Sequence, residues 1–230
     1  MGSDPGAGLR LSGKVCAVTG ASRGIGRAIA EELHAHGAKL SLCALRSVPE
    51  APAGADALSA RCDVADANEV ARWFGETERR FGGVDVLVLN AGVLERGAVA
   101  ELSEAQWDRV LDTNLKGAFL CARAAWPALA RRKGRIVAVG SISGTLGTAQ
   151  AAAYNASKWG LTGLVKSLAE EGRAQGVFCA TVLPSAVETD MVRQTPFSPQ
   201  MQPQDVARVV RFLCAEAPFA MTGSAVEVFG

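Results

Sequence analysis

The chain has 230 residues, a formal net charge of +1 and 49% hydrophobic residues, enough apolar material to close a sizeable core without a disulfide or metal. Its densest basic run is Arg131-Arg132-Lys133, which gives no electrostatic footing for nucleic acid or an anionic membrane as partner. Six scattered cysteines without C-x-x-C spacing read as buried free thiols of a cytoplasmic protein, and His34 and His36 lack the cysteine and carboxylate company of a metal site, so no metal is expected.

Residues 1–12, beginning "MGSDPGAG", read as a flexible leader, and 13–230 as one domain. "KVCAVTG" (14–20) is a buried strand, and "RGIGRAIAEELHAHG" (23–37) a helix that stops at Gly37. "AKLSLCAL", "ALSARC", "VDVLVLN", "GRIVAVGS", "VFCATVLP" and "SAVEVFG" follow as further strands. Helices are predicted at 66–81, 103–133, 153–175 and 203–216, the second opened by Ser103 and Gln106 at capping-box spacing. "PEAPAGADA" (49–57) puts two prolines where a crossover helix would stand, so a loop is predicted there. Strand and helix alternating through the chain argue for a parallel sheet covered on both faces with right-handed crossovers.

Two constellations carry chemistry. "TGASRGIG" (19–26) joins the first strand to the first helix, and its glycines Gly20, Gly24 and Gly26 allow a tight turn whose helix N-terminus offers free N–H groups to a pyrophosphate. "YNASK" (154–158) holds the only tyrosine, Tyr154, four residues before Lys158 and on the same helical face. A phenol titrates near 10, roughly, and a neighbouring ammonium lowers that value, which suits the pair to proton exchange with a substrate oxygen.

With "CDV" (62–64), "LNAG" (89–92), "TNLKG" (113–117), "GSISG" (140–144), "LPSAVETDM" (183–191) and "MTGSAVEV" (221–228) in this order, the chain resembles the short-chain dehydrogenase/reductase family from about Gly13 to Val228. The resemblance implies an α/β fold, a Rossmann-type doubly wound parallel sheet of strand order 3-2-1-4-5-6-7, and assembly into a homodimer or homotetramer through the long helices. It implies Tyr154 as general acid in carbonyl reduction, Lys158 also holding the nicotinamide ribose, Ser141 polarising the carbonyl, and Asn114 helping to place a water in a relay from Lys158. Cofactor contacts are expected from Gly20, Ser22, Arg23, Gly24, Ile25 and Gly26, from Asp63 and Val64 at the adenine, from Asn90, Ala91 and Gly92, and from Pro184, Val187 and Thr189 beside the carboxamide.

No carboxylate stands near Ala44, at the end of the second strand, where an NAD-specific site places one; Arg46 and the loop's Arg23 favour NADP(H) instead, with NAD(H) as the alternative. Pro184-Ser185 replaces the family's usual Pro-Gly, and three prolines between Thr189 and the last helix shorten the substrate lid, near 190–203. The expected pocket residues are Leu94, Ile142, Leu146, Gln150, Ser185 and Met191; mostly apolar, they suit a neutral ketone, aldehyde or acyl thioester. Resemblance to 3-oxoacyl reductases is partial, because Arg132 matches one carrier-docking position and Gln175 stands at the other. The leading expectation is an NADPH-dependent oxidoreductase reducing a small-molecule carbonyl to an alcohol. An NAD-dependent alcohol dehydrogenase and a non-catalytic dinucleotide-binding sensor or scaffold are the alternatives.

Overall fold

A computed structural model describes residues 11–230; the expected leader lies mostly outside them. Leu11, within that expected stretch, is buried in the core. The order of elements is β1 (Val15–Thr19), α1 (Gly24–Ala35), β2 (Lys39–Ala44), β3 (Ala57–Arg61), α2 (Ala67–Phe81), β4 (Val86–Leu89), α3 (Glu104–Leu111), α4 (Gly117–Arg132), β5 (Arg135–Val139), α5 (Ala152–Gly172), β6 (Phe178–Pro184), α6 (Pro203–Ala215) and β7 (Ala225–Val228). The seven strands form one sheet of order β3-β2-β1-β4-β5-β6-β7, and every ladder is parallel.

Both faces of the sheet are covered, as the continuous apolar strands require. Alternate residues face opposite sides. Val18, Val86, Val88 and Val137 pack under α1 and α6 with Ile29, Leu33, Val206 and Val210. Ala17, Leu87, Leu89 and Ile136 pack under α2, α4 and α5 with Trp73, Leu120, Leu129 and Leu161. Residues between β2 and β3 contain no helix, in line with the prolines there.

Two local features were not in the sequence pattern. The expected helix 103–133 is interrupted by one π turn, Asp112–Lys116, closed by Gly117 N–H donating to the Asp112 carbonyl. Its start agrees with the spacing: Ser103 and Gln106 form the complete capping box. The other feature is Gln150, which with Lys133 makes up the non-glycine residues of positive φ among those described, at +60°. Strand order reverses between β1 and β4, and the crevice at their C-terminal ends is where a doubly wound sheet takes a ligand.

Candidate active site

The turn after β1 is built around backbone contact. Gly20 has φ +65° and Gly24 +54°, values that side chains resist. A Cβ on Gly26 would fall on the Gly20 carbonyl oxygen and the Asn90 amide, so α1 can lie against the loop only with glycine there. Asn90 braces the turn, donating from Nδ2 to the carbonyls of Thr19 (3.0 Å) and Gly20 (3.1 Å). Thr19 Oγ1 in turn accepts the N–H groups of Asn90 and Ala91. The N-cap, Arg23, offers α1 no side-chain bond, and its first turn holds no acid. The free N–H groups and positive end of the helix dipole are left for an anion, so the cradle fits a dinucleotide pyrophosphate.

Tyr154, Lys158, Ser141 and Asn114 converge at the ends of β4 and β5. Lys158 is 4% exposed. Its Nζ donates to the Val139 carbonyl at 3.0 Å and lies 5.6 Å from the centroid of the Tyr154 ring. Ser141, two residues past Val139, caps a short turn over Ile142–Gly144 by accepting the Ser143 N–H at 3.1 Å. That turn packs on α5 at Lys158, since a Cβ on Gly144 would sit 3.1 Å from the Lys158 carbonyl oxygen. Asn114, in the π turn, is buried. It clamps Val93 through both amide atoms, at 2.8 and 2.9 Å, and donates to Ser157 Oγ at 3.0 Å. Ser157 donates onward to the Tyr154 carbonyl at 2.7 Å. Gly92 lies against both Asn114 and Lys158, its absent Cβ position 3.4 Å from the amide oxygen of one and 3.7 Å from Nζ of the other.

The electrostatics differ from what helical spacing suggests. Burial pushes the Tyr154 phenol above its ordinary value, and the Ser141 hydroxyl pulls it partly back. The Lys158 ammonium is itself lowered by burial to about 8. Near neutrality the pair is therefore a protonated phenol beside a charged ammonium, the state from which a proton can be given.

Of the expected nicotinamide-side residues, Pro184 closes β6, Val187 is buried and bridges to Met201, and Thr189 comes within van der Waals reach of Gly24. Ser185 reaches its turn without positive φ, donating its N–H to Val228 and its hydroxyl to Phe229. At the adenosine side Asp63 accepts the Ala65 N–H, Val64 is buried and Arg46 is exposed. Arg23 is not free: it pairs with Asp190 at 2.9 Å. Among the pocket residues Leu94, Ile142, Ser185 and Met191 are half-buried, while Leu146 and Gln150 are exposed. Sequence reasoning missed Arg96, which donates to the Ala149 carbonyl and the Gln150 side chain at the rim. It also missed Ser157, Arg61 and Asp190, polar residues that each bond at least one group remote in the chain, a contact that leaves no local signal.

Arg132, expected near a carrier-docking position, is engaged within the chain. It pairs with Asp85 at 2.8 Å and donates to the Gly82 carbonyl.

The short chain dehydrogenase family profile matches residues 14–198. The 3-oxoacyl-acyl-carrier-protein reductase FabG of Staphylococcus aureus is 36% identical over 238 residues, covering 94% of this chain and 97% of the relative. Its counterpart in Escherichia coli is 35% identical, with 96% and 98% covered. Among solved structures, a short-chain type dehydrogenase/reductase from Mycobacterium marinum superposes with a TM-score of 0.88 at 29% identity, covering 96% of this chain and 95% of that one. The chain belongs to the short-chain dehydrogenase/reductase family. It is an oxidoreductase acting between C=O and CH–OH with a nicotinamide dinucleotide.

Proposed function

We propose that this protein is an NADPH-dependent carbonyl reductase with Tyr154 as its general acid. The observation that carries the reading is the convergence of Tyr154, Lys158, Ser141 and Asn114 beside the glycine cradle, held by the bonds described above. The bound nicotinamide would supply a hydride to the substrate carbon. Ser141 hydroxyl donates to the carbonyl oxygen and stabilises the charge that grows there. The Tyr154 phenol delivers its proton to that oxygen, completing the alcohol. Lys158, charged below about pH 8, lowers the cost of the transient phenolate and holds the nicotinamide ribose. Asn114 commits its amide to Val93 and Ser157, so a water relay from Lys158 would use its main-chain carbonyl. A π turn skips one step of the helical ladder, which makes an unpaired carbonyl available in that turn.

The absence of an acid at the end of β2 supports NADPH, and the names of the relatives support a 3-oxoacyl or similar ketone. Engagement of Arg132 by Asp85 argues against its use in docking a carrier protein. The free buried thiols support a reducing, cytoplasmic setting. Among the described residues no helix is long and apolar enough to cross a membrane. Exposed aromatics on α3, α4 and α5 support a homodimer or homotetramer. The direct test is NADPH oxidation against diketones, quinones, aldehydes and 3-oxoacyl thioesters. Tyr154→Phe should keep the fold and cofactor affinity and lose at least about a hundredfold in turnover. A Tyr154→Phe enzyme at near wild-type rate removes the assignment.

A further inference from the structure

Ser141 and Tyr154, the two groups proposed to meet the carbonyl oxygen, are joined by a stretch with little of its own to hold it. Leu146, Gly147, Ala149 and Gln150 are exposed, and a Cβ on Gly147 would meet nothing within 4 Å. With so few buried apolar contacts, such a segment keeps its shape only through the bonds that reach it. It turns into α5 through Gln150 at φ +60°, a conformation that a residue with a Cβ adopts at a cost. Ala151 follows, 3% exposed, and α5 starts after it with no side-chain cap. Tyr154 therefore lies in a first turn that frays unless something secures it.

What secures it comes from the loop after β4. Arg96 Nη2 donates to the Ala149 carbonyl (3.4 Å) and to the Gln150 side-chain oxygen (3.5 Å), and the Gly97 N–H donates to the Gln150 carbonyl at 3.1 Å. Gln150 is thereby held by both its main chain and its side chain. The side-chain bonds are long, but their donor is a charged guanidinium, and the neighbouring carboxylate, Glu95, is paired with Arg109 on α3. The loop that reaches across is itself fixed, because Asn114 clamps Val93 and Arg109 anchors Glu95. From α5, Asn155 Nδ2 donates to the Thr148 carbonyl at 3.1 Å.

We propose that Arg96 is a positioning residue for Tyr154: by holding Gln150 in the left-handed conformation from outside, it sets where α5 begins and keeps the phenol at the Ser141 hydroxyl. Its catalytic consequence rests on the general-acid reading of Tyr154, whereas the structural coupling can be read without substrate. The chain has one tyrosine, so the ultraviolet signal of phenolate formation reports Tyr154 alone. In the folded protein burial holds that phenol above its ordinary value. A first turn set loose admits water and lets the value fall toward roughly 10.

The test compares wild type, Arg96→Ala, Arg96→Lys, Gln150→Gly and the double variant Arg96→Ala/Gln150→Gly, with acetoacetyl N-acetylcysteamine thioester as substrate. Arg96→Ala should lower kcat about tenfold and lower the phenolate midpoint, with NADPH affinity changed less than about twofold, because a small misplacement of a catalytic group is costly while the cofactor cradle is untouched. Arg96→Lys should recover part of both effects. Glycine takes positive φ without strain, so on the Gln150→Gly background the loss of Arg96 should cost less than about twofold in kcat. An equal loss on both backgrounds, or an Arg96→Ala enzyme with unchanged kcat and phenolate midpoint, overturns the proposal. A loss confined to KM shows substrate contact instead of positioning and overturns it too. A wild type inert to the thioester, or a Tyr154→Phe enzyme as fast as wild type, defeats the general-acid reading and leaves the phenolate titration to decide the coupling.

Discussion

Lys158 shows how a residue proposed for the chemistry can be a burden on the fold. Burial lowers its folded value from 10.5 to about 8. The folded state therefore holds its proton less well than the unfolded chain, and stability at neutral pH is reduced by about 3 kcal/mol before the Val139 bond is counted. That penalty is fully present below pH 8 and is relieved as pH rises toward 10.5. The buried thiols of Cys16, Cys43, Cys121, Cys179 and Cys214, raised mainly by burial, act with the opposite sign: the unfolded chain ionises them above about pH 9, and stability falls. The informative quantity is thus a difference. Chemical denaturation of wild type and Lys158→Met between pH 7 and 10.5 should show the mutant's advantage shrinking as pH rises, while its turnover is lost throughout. A difference that stays flat with pH would show that Lys158 is not carrying a strained charge. In the sequence, spacing put Tyr154 and Lys158 on one helical face, and the family resemblance supplied the role expected of them. Neither could disclose that desolvation outweighs their mutual attraction, because burial is a property of the closed fold.

At the scale of elements, the glycine turn and the helix it opens were legible because each glycine does a local job that other residues do badly. Gly26 and Gly75, both helical, make the point by contrast. A Cβ at Gly26 would meet the Gly20 backbone and the Asn90 amide, whereas one at Gly75, on α2, would meet nothing within 4 Å. Gly26→Ala should cost roughly 1–3 kcal/mol through forced displacement of the turn and should weaken dinucleotide binding. Gly75→Ala should stabilise the protein by roughly 0.5–1 kcal/mol and leave binding alone, since it only restores helix propensity. Thermal unfolding and calorimetry on the two variants check both signs, and similar effects from both would mean that the turn yields more readily than its packing indicates. The π turn around Asn114 was illegible for a related reason. Hydrophobic periodicity over 103–133 reports one helix, and the extra residue in the turn is fixed by the Asn114 clamp on Val93, a contact 21 residues away in the chain. The loop at 49–57, by contrast, was fixed by its own prolines and could be read directly.

For the whole molecule, strand order followed from the alternation of elements together with the family resemblance, while what the molecule presents to its surroundings required surface exposures. Trp107 on α3, Phe119 on α4 and Trp159 on α5 are 38%, 43% and 54% exposed. These helices pack side by side, with α5 reaching the π turn closely enough that a Cβ on Gly160 would press on Leu115. Three large aromatics on neighbouring helices of one flank exceed the isolated apolar residue that any surface tolerates. A two-fold partner placing the same helices against them would bury this flank on both copies at once. Trp159 adjoins Lys158 in sequence, so such an interface would also stiffen the helix that carries Tyr154, the proposed proton donor. The double variant Phe119→Glu/Trp159→Glu should therefore reduce the solution mass by light scattering to a smaller assembly, keep its circular dichroism, and lose turnover more than cofactor affinity. If the mass is unchanged, this flank is not the main interface, and the exposed Phe212, Phe219 and Phe229 near the β7 edge become the surface that holds the copies together.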